Sequence, residues 1–594
     1  MYILGISCFY HDAAACLLKD GAVIAAAEEE RFSRIKHDSG FPLNAINFCL
    51  DSAGITGEEL DYAVFYEKPF LKLERLIKTT FALYPKTLGL FQEIILNWFR
   101  NKLWIKSLIQ IKVGINADKI LFCQHHLAHA AGSFFCSPFR EAAILTCDGV
   151  GEWTTTALGY GRADWDNKSK NEINLFGETK FPHSLGLLYS VFTAFLGFEI
   201  NEGEYKVMGM SAFGEPKYAD KIYELIRVKP DGSFRLDMNY FSYHYSTSRS
   251  FNKRFERLFG KPRDPKTRFV TAKTSLYDYS EPPAEEEIRV NQNYADIAAS
   301  IQKVTEDILV KIANYLYEKT KVKKLCLSGG VALNCLANSR ILKETPFDEI
   351  FIQPQAGDGG AAMGAAMYAW HSLIAMPRRF ILKDVFLGKE YSDDEIKDFL
   401  EGNGLVYEYF PSEDKLLDLI VEALISQKVI GWFQGRFEWG PRALGNRSIL
   451  ADPRQEEMKD TVNIKIKFRE PFRPFAPSVL AEKAGEFFEF GKSSDSYPLK
   501  FMLYTVKVKK KELIPAVTHV DGTSRIQLVF KEDNPLYYKL IEKFYLKTAV
   551  PVLLNTSFNL KGEPIVDSPP AAYNTFLKSG MDMLILNNFV ISKE

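Results

Sequence analysis

In EAAILTCDGVGEWTTTALGYG, residues 141–161, an apolar run ends at Cys147, a polar glycine-containing turn follows, and a second run begins at Thr154. That order is strand, turn, strand. The chain opens in the same way. YILGISCF (2–9) reads as a buried strand, and AAACLLKDGAVIAAAEE (13–29) as two more strands about Asp20-Gly21, a dipeptide favoured in two-residue hairpins. Two later stretches, KLCLSGGVALNCLANSRILKET (324–345) and EIFIQPQAGDGGAAMGAAMYAW (349–370), read as strand, glycine turn and helix. Each turn falls at the carboxyl end of its strand, where open α/β sheets bind ligands.

Two halves that each begin with strand, turn and hairpin predict a duplicated α/β domain. This is the plan of actin, the sugar kinases and the heat-shock ATPases, whose nucleotide lies between the halves. At 594 residues the chain is too long for a single core. A junction is expected at 376–395, dividing a first domain (1–375) from a second (396–594). Residues 215–290, aromatic and rich in Lys, Arg and Pro, read as a loop-rich insertion. The apolar stretch from Phe70 to Ile115 is interrupted by charges every few residues and reads as amphipathic helices rather than a membrane span. A formal net charge of −1 gives no general reason to bind nucleic acid or a membrane. The eight cysteines form no C-x-x-C pair and read as buried thiols. The amino terminus lacks the basic region of a signal peptide, and the expected compartment is the cytoplasm.

QHHLAHAAGSFF (124–135) places His125 and His129 four apart, on one face of a helix, where both can hold one metal ion. His126 points about 100° away and suits a supporting or capping role. Asp148 in TCDGVGE and Asp358 in QAGDGG add carboxylates at two strand ends. Two imidazoles and two carboxylates suit iron(II), manganese or zinc. Separate polar groups serving helix and turn backbones would produce the same spacing, and the two readings stay open on spacing alone. His11 is a candidate general base. The turns at Gly149 and Gly151, at Ser328, Gly329, Gly330 and Asn334, and at Gly357 and Gly359 let backbone amides approach a nucleotide closely. None is a Walker A loop. In the last third, Arg436, Arg442, Arg447, Lys465, Lys467, Arg469 and Arg473 stand among apolar and aromatic neighbours, as cations fixed in an anion pocket would. Arg525, Asn555 and Ser557 read as further polar insertions into buried strands.

These motifs together resemble the NodU-like O-carbamoyltransferases of nodulation-factor and antibiotic biosynthesis. The resemblance runs over nearly the whole chain. It is carried by GISCFYHDAAACLLKDG, EEERFSRIKHD, HHLAHAAGSFF, CDGVGEW, GEYKVMGMSAFGEP, LSGGVALN, QAGDGGAAMGAA, EWGPRALGNRSILADPR, FREPFRPFAPSV, TSRIQ and LLNTSFNLKGEPIVDSP. It implies an actin-like first domain, similar to the threonylcarbamoyl-transfer enzymes, followed by a YrdC-like α/β domain. It further implies that carbamoyl phosphate and ATP with Mg2+ give carbamoyl-adenylate in the second domain, with transfer to a small-molecule hydroxyl in the first. The family's metal, iron(II), would fall on His125, His129, Asp148 and Asp358. Its anion-binding groups would fall on Arg442, Lys467, Arg473 and Arg525, and Lys36 and His11 would lie near the transferred group. The acceptor is expected to be a specialised metabolite or glycan, with no nucleic acid or membrane partner and a homodimer among the expected states. Transfer to a protein thiol or to tRNA, and a non-enzymatic nucleotide-binding scaffold, are the alternatives.

Overall fold

The first apolar run becomes strand β1 (Tyr2–Ser7), antiparallel to β2 (Ala14–Lys19), which is antiparallel to β3 (Ala22–Glu28). Asp20 and Gly21 form the tight turn with φ of 51° and 84°, and a Cβ at Gly21 would lie 2.4 Å from the Trp370 indole. On the other side of β1, β4 (Tyr62–Phe65) and β5 (Ile120–Phe122) add in parallel, giving the order β3-β2-β1-β4-β5. The computed structural model describes residues 1–87, 89, 91, 103–165, 171–274, 281–493 and 497–593. The stretch from Phe70 to Ile115 and the 215–290 region therefore lie partly outside the described residues.

A second sheet repeats the first. Its strands are β6 (Glu141–Cys147), β7 (Thr154–Arg162) and β8 (Glu172–Lys180), then, past a separate hairpin of β9 (Ile226–Val228) and β10 (Phe234–Leu236), β11 (Lys324–Ser328) and β12 (Glu349–Ile352). The order is β12-β11-β6-β7-β8. Here too the first strand pairs antiparallel with the second and parallel with the fourth, and the fourth pairs parallel with the fifth. The first domain is thus a duplicated α/β unit of the actin-like kind.

Helices fill equivalent places in the two halves. Between β4 and β5 lie α1 (Pro69–Ala82) and α2 (Ile105–Val113), and α3 (His125–Phe134) follows β5. In the second half, α4 (Glu285–Thr320) precedes β11, α5 (Cys335–Glu344) separates β11 from β12, and α6 (Asp358–Tyr368) follows β12. The equivalent helices α3 and α6 cross closely because both are built from small residues. A Cβ at Gly364 would sit 1.8 Å from the Ala128 carbonyl oxygen, and one at Gly132 3.2 Å from the Gly364 Cα. This contact brings the amino-terminal ends of α3 and α6 to one point.

The 215–290 region is more ordered than a loop-rich insertion. Besides β9 and β10 it contains a helix at Lys253–Phe259 whose Phe255 and Phe259 pack on Phe192 and Phe195. Phe251, Phe255 and Phe259 fall every fourth residue, so the charged text between them faces outward.

The second compact unit is built on Lys383–Glu594 and takes in Glu30–His37. Its main sheet has eight strands in the order Glu408–Tyr409, Phe589–Ser592, Met583–Leu586, Ile430–Phe433, Arg447–Ala451, Val552–Ser557, Ala476–Leu480 and Gln527–Val529. Parallel and antiparallel pairs are mixed. Among the described residues, no helix is long and apolar enough to cross a membrane.

Candidate functional site

At the meeting of α3 and α6, four side chains from distant parts of the sequence converge. His125 and His129 stand one turn apart on α3, Asp148 directly follows β6, and Asp358 begins α6. All four are buried, and one ligand atom from each lies within 4.8 Å of the others. His125 Nε2 is 3.1 Å from Asp148 Oδ2, 3.1 Å from His129 Nε2 and 3.6 Å from Asp358 Oδ1. His129 Nε2 is 3.5 Å from Asp358 Oδ1 and 4.0 Å from Asp148 Oδ2. A transition metal with bonds of about 2.0–2.2 Å needs ligand atoms about 3.0–3.6 Å apart, close to this spacing. Neither oxygen of Asp358 accepts a hydrogen bond although both are buried. A buried carboxylate in that condition calls for a cation. The donor set and the orphaned carboxylate both fit a divalent metal.

The orientation of His129 is fixed from behind. The Ser328 hydroxyl donates to the Ala356 carbonyl at 3.4 Å and so presents a lone pair to His129 Nδ1 at 3.2 Å. His129 therefore carries its proton on Nδ1 and aims the Nε2 lone pair at the other three groups. Burial opposes a charge on His125, but Asp358 and the bond to Asp148 outweigh it and push the imidazole up to about 9. Burial would raise Asp148, yet His125 and His129 hold it well below the ordinary carboxylate range. His126 stands apart from the set: its ring nitrogens meet the Thr146 hydroxyl at 2.7 Å and the Thr154 carbonyl at 2.8 Å. Burial, with His125 and His129 beside it, presses its imidazole down to about 3, so it is a neutral brace.

The glycine turns serve this centre directly. A Cβ at Gly151 would fall 2.8 Å from the His125 ring, and Gly329, at φ 92°, lies so close to the Cys147 carbonyl that a Cβ would be 2.2 Å from its oxygen. Gly330 N–H donates to Asp148 Oδ1 at 3.0 Å. Asn334 caps α5 through the Ala337 N–H and exchanges hydrogen bonds with Gln302. Gly149 has the Tyr10 hydroxyl at 3.8 Å and Leu187 Cδ2 at 3.9 Å from its Cβ position, both ordinary contacts, while Gly357 and Gly359 lie against the Gln355 side chain. Ser328, read as a nucleotide contact, is in this structure the group behind His129.

Glu152 was not singled out by sequence reasoning. Its carboxylate accepts the His125 N–H at 3.0 and 3.2 Å and the Lys68 N–H at 2.9 Å, holding the start of α3. Arg75 of α1 donates to the Gly151 carbonyl at 2.7 Å. The signal for Glu152 was its place in CDGVGEW, four residues beyond Asp148. His11 lies in the loop after β1, the place equivalent to the loop after β6 that holds Asp148. Its Nδ1 is 2.8 Å from Asp12 Oδ2. Burial opposes its charge, but Asp358 and Asp12 prevail and push the imidazole up to about 10.

In the second unit, Lys467 is buried and its Nζ donates to the Ser557 carbonyl at 2.7 Å, the Asn559 carbonyl at 2.8 Å and Asn559 Oδ1 at 2.7 Å, with Ser557 Oγ at 3.2 Å. Burial and then the charges of Arg469, Arg473 and Lys36 hold its ammonium well below the usual lysine range. Lys36 thus belongs to the same unit as Lys467, while His11 belongs to the first. Asn555 donates to Ser478 Oγ, Gln527 Oε1 and the Ala443 carbonyl within the main sheet. Arg442 and Arg525 are half-buried, the latter near His519. Arg436 and Arg447 depart from the phosphate-gripping expectation. Arg436 donates to the Leu387 and Gly388 carbonyls, and Arg447 to those of Gln434, Gly435, Asn446 and Lys389. Glu438 Oε1 accepts the N–H groups of Leu444, Asn446 and Arg447, so EWGPRALGNR is a loop wound about a buried carboxylate.

A duplicated actin-like domain with a buried imidazole–carboxylate ring between its halves, followed by a mixed-sheet domain containing buried cations, defines a two-domain enzyme class. Residues 2–367 match the family described as Carbamoyltransferase N-terminus and residues 421–593 that described as Carbamoyltransferase C-terminus. The chain belongs to this carbamoyltransferase family and is an enzyme of that kind. It is 44% identical to the uncharacterized protein sll1178 of Synechocystis, over 100% of this chain and 97% of that one. It is 36% identical to nodulation protein NolNO of Sinorhizobium fredii, over 98% of this chain and 79% of the relative. Over 41% of this chain and 44% of the relative, it is 35% identical to the 3'-hydroxymethylcephem-O-carbamoyltransferase of Amycolatopsis lactamdurans.

Proposed function

We propose that this enzyme is an ATP-dependent O-carbamoyltransferase with a divalent metal, iron(II) by family resemblance, on His125, His129, Asp148 and Asp358. The observation that carries the proposal is Asp358: buried, without a hydrogen-bond donor, and aimed at two histidines that face each other. The relative named for O-carbamoylation of a cephem supports an oxygen acceptor. The second unit, expected to be YrdC-like, would activate the donor. Carbamoyl phosphate, ATP and one water give carbamoyl-adenylate, phosphate and pyrophosphate. There the cations Lys467, Arg473, Arg442 and Arg525 would offset phosphate charge.

A metal ion bound in the first unit supplies a Lewis acid for the carbamoyl oxygen or a hold on the adenylate phosphate. The chain's own residues do the rest. Ser328 and Glu152 hold the two histidines in register. Asp12 accepts a hydrogen bond from His11 Nδ1–H, and a cation held by Asp358 would offset the charge that otherwise keeps the imidazole protonated, leaving Nε2 to receive the acceptor hydroxyl proton. The backbone at Gly149, Gly329, Gly357 and Gly359 admits the adenylate closely. Burial keeps water from a labile mixed anhydride.

The test follows pyrophosphate release from ATP and carbamoyl phosphate without acceptor. Arg442→Gln is expected to abolish release, whereas His129→Ala is expected to spare it and stop transfer to an acceptor. The opposite pattern would reverse the division of labour, and no release from the wild type would end the adenylate mechanism.

A further inference from the structure

The buried side of helix α1 carries Lys72, Arg75 and Thr80 rather than an apolar stripe. Lys72 is accounted for: its Nζ pairs with Glu67 at 2.7 Å. Arg75 is not. It is 6% exposed, and its Nη1 donates to the Gly151 carbonyl at 2.7 Å. Among the described residues, no other group accepts from this guanidinium, whose one further contact is the Phe181 ring at 5.1 Å. The Nε–H and Nη2–H edge is therefore an unused fork, and neither nitrogen is sealed from solvent. The guanidinium is always charged. The carboxylates whose charge reaches it, Glu67 and Glu152, are turned to other donors: Lys72 for the first, the N–H groups of Lys68 and His125 for the second.

Tyr10 adds a second unused donor. Its hydroxyl makes no hydrogen bond among the described residues, is open to solvent, and lies 3.8 Å from the Cβ position of Gly149. Gly149 and Gly151 are two residues apart, ~7 Å at most, so the phenol and the fork flank one turn. We propose that Arg75 and Tyr10 form a subsite for an oxyanion beside the metal turn, and that this oxyanion is a carboxylate, phosphate or sulfate borne by the acceptor near its hydroxyl. The free edge of a guanidinium grips two oxygens of such a group in one plane, and the phenol, protonated at neutral pH, donates to a third or to one of the pair. The Tyr10 ring lies 4.8 Å from that of His11. A base must come within about 3 Å of the hydroxyl it serves, so an anion held next to His11 sits on the molecule that carries the hydroxyl. The turns at Ser328, Gly329 and Gly357, by contrast, belong to the second half of the domain. Resting on the proposed transferase function, this names the acceptor class: an uncharged acceptor would leave a buried cation unpaired and be rejected for that reason.

The full chain, carrying Arg442→Gln to weaken the anion group proposed for the second unit, is titrated calorimetrically with inorganic phosphate, acetate and AMP. Adding Arg75→Met is expected to lower the affinity for phosphate and acetate about 10–100-fold, and adding Tyr10→Phe about threefold to tenfold. Lys78→Met, which removes a charge from the exposed side of the same helix, should leave both unchanged. Because Arg75→Met also loses the bond to Gly151, Arg75→Lys is the second variant. It keeps the charge and a donor for the carbonyl but lacks the fork, and it should lose most of the affinity while its thermal unfolding stays near the wild type. Absence of phosphate and acetate binding, or equal binding with and without Arg75→Met, would overturn the proposal. AMP binding tighter than phosphate, with the gain lost in Arg75→Met, would give the subsite to the adenylate and overturn its assignment to the acceptor. Because calorimetry reads no turnover, its failure leaves carbamoyl transfer standing.

Discussion

Gly151→Ala is the most discriminating perturbation of the metal turn. The new Cβ would lie 2.8 Å from His125 Cδ2 and 3.0 Å from its Cβ and Cγ, where ordinary contacts begin at 3.4 Å. The turn cannot easily retreat, because Gly151 N–H donates to the Thr154 carbonyl at 2.9 Å and its own carbonyl accepts from Arg75 at 2.7 Å. The ring must therefore move, by about 0.5 Å, which exceeds the ~0.2 Å tolerance of a metal–ligand bond. Displacing one ligand by that much should weaken metal binding about 10–100-fold, comparable to losing a supporting hydrogen bond. Overpacking should cost about 1–3 kcal/mol of stability without unfolding the domain. Gly149→Ala is the control: its Cβ meets the Tyr10 hydroxyl at 3.8 Å and Leu187 Cδ2 at 3.9 Å, both ordinary contacts, and neither glycine has a positive φ. Calorimetric titration of both variants with manganese(II) or anaerobic iron(II) checks the pair. Equal affinities in the two folded variants would refute the idea that His125 is a ligand held by this turn.

Three further outcomes follow from the same structure. Saturating metal should stabilise the wild type by about 4 kcal/mol at a thousandfold excess over Kd, and Asp358→Asn should lose most of that gain in scanning calorimetry. An equal metal-dependent shift in Tm would remove Asp358 from the ligand set. Phosphate binding near Lys467 favours the charged ammonium, whose range in the free protein is depressed by burial, Arg469, Arg473 and Lys36. Wherever pH exceeds that depressed value, binding should take up a proton and weaken as pH rises. Calorimetry in two buffers of different ionisation enthalpy measures this, and zero uptake would place phosphate elsewhere. Glu438→Gln replaces the charged acceptor of three backbone N–H groups beside buried Arg447 and should destabilise the second unit by about 2–4 kcal/mol, read by chemical denaturation.

The fold was legible where hairpins announced themselves. Asp20-Gly21 and the turn after Cys147 mark the antiparallel edges of both sheets, but β4 and β5, at four and three residues, are too short for periodicity to distinguish. The duplication emerges fully only from the strand order. Helical spacing and strand-end acids marked His125, His129, Asp148 and Asp358 as candidates but left two readings open; the family resemblance joined them as one set, and in the structure they converge. The roles of Ser328 and Glu152 were not visible, since each acts on a partner far away in sequence or through the backbone. The two faces of α1 were visible as an alternation, but which face is buried was not. That choice depends on Glu67 and the Gly151 carbonyl waiting beneath Lys72 and Arg75.

A chain of net charge −1 can still create a strong local site for an anion, and the second unit indicates how. Arg31 donates to the Gly440 carbonyl at 2.7 Å, Arg34 to those of Ile565 and Pro564 at 2.7 and 2.9 Å, and Arg447 to that of Gln434 at 2.6 Å. Carbonyl oxygens satisfy the N–H groups of a guanidinium but carry only partial charge, so they do not cancel it. Lys467 is held by neutral oxygens in the same manner. Each cation is thus fixed in place with its field largely intact, and fixing it beforehand spares the reorganisation that a flexible lysine would require when phosphate arrives. Carboxylate partners would have quenched that field, as they do for Arg340, which bonds Glu306, Asp307 and Glu344. Two buried carboxylates lie beside these arginines: Glu438, whose bonds are to backbone N–H groups, and Asp567, which stands 3.7 Å from Arg34 and offsets part of its charge. Arg436 and Arg447 therefore act one step removed: they shape the loop through its carbonyls, beside which Lys467, Arg442, Arg473 and Arg525 would meet an anion.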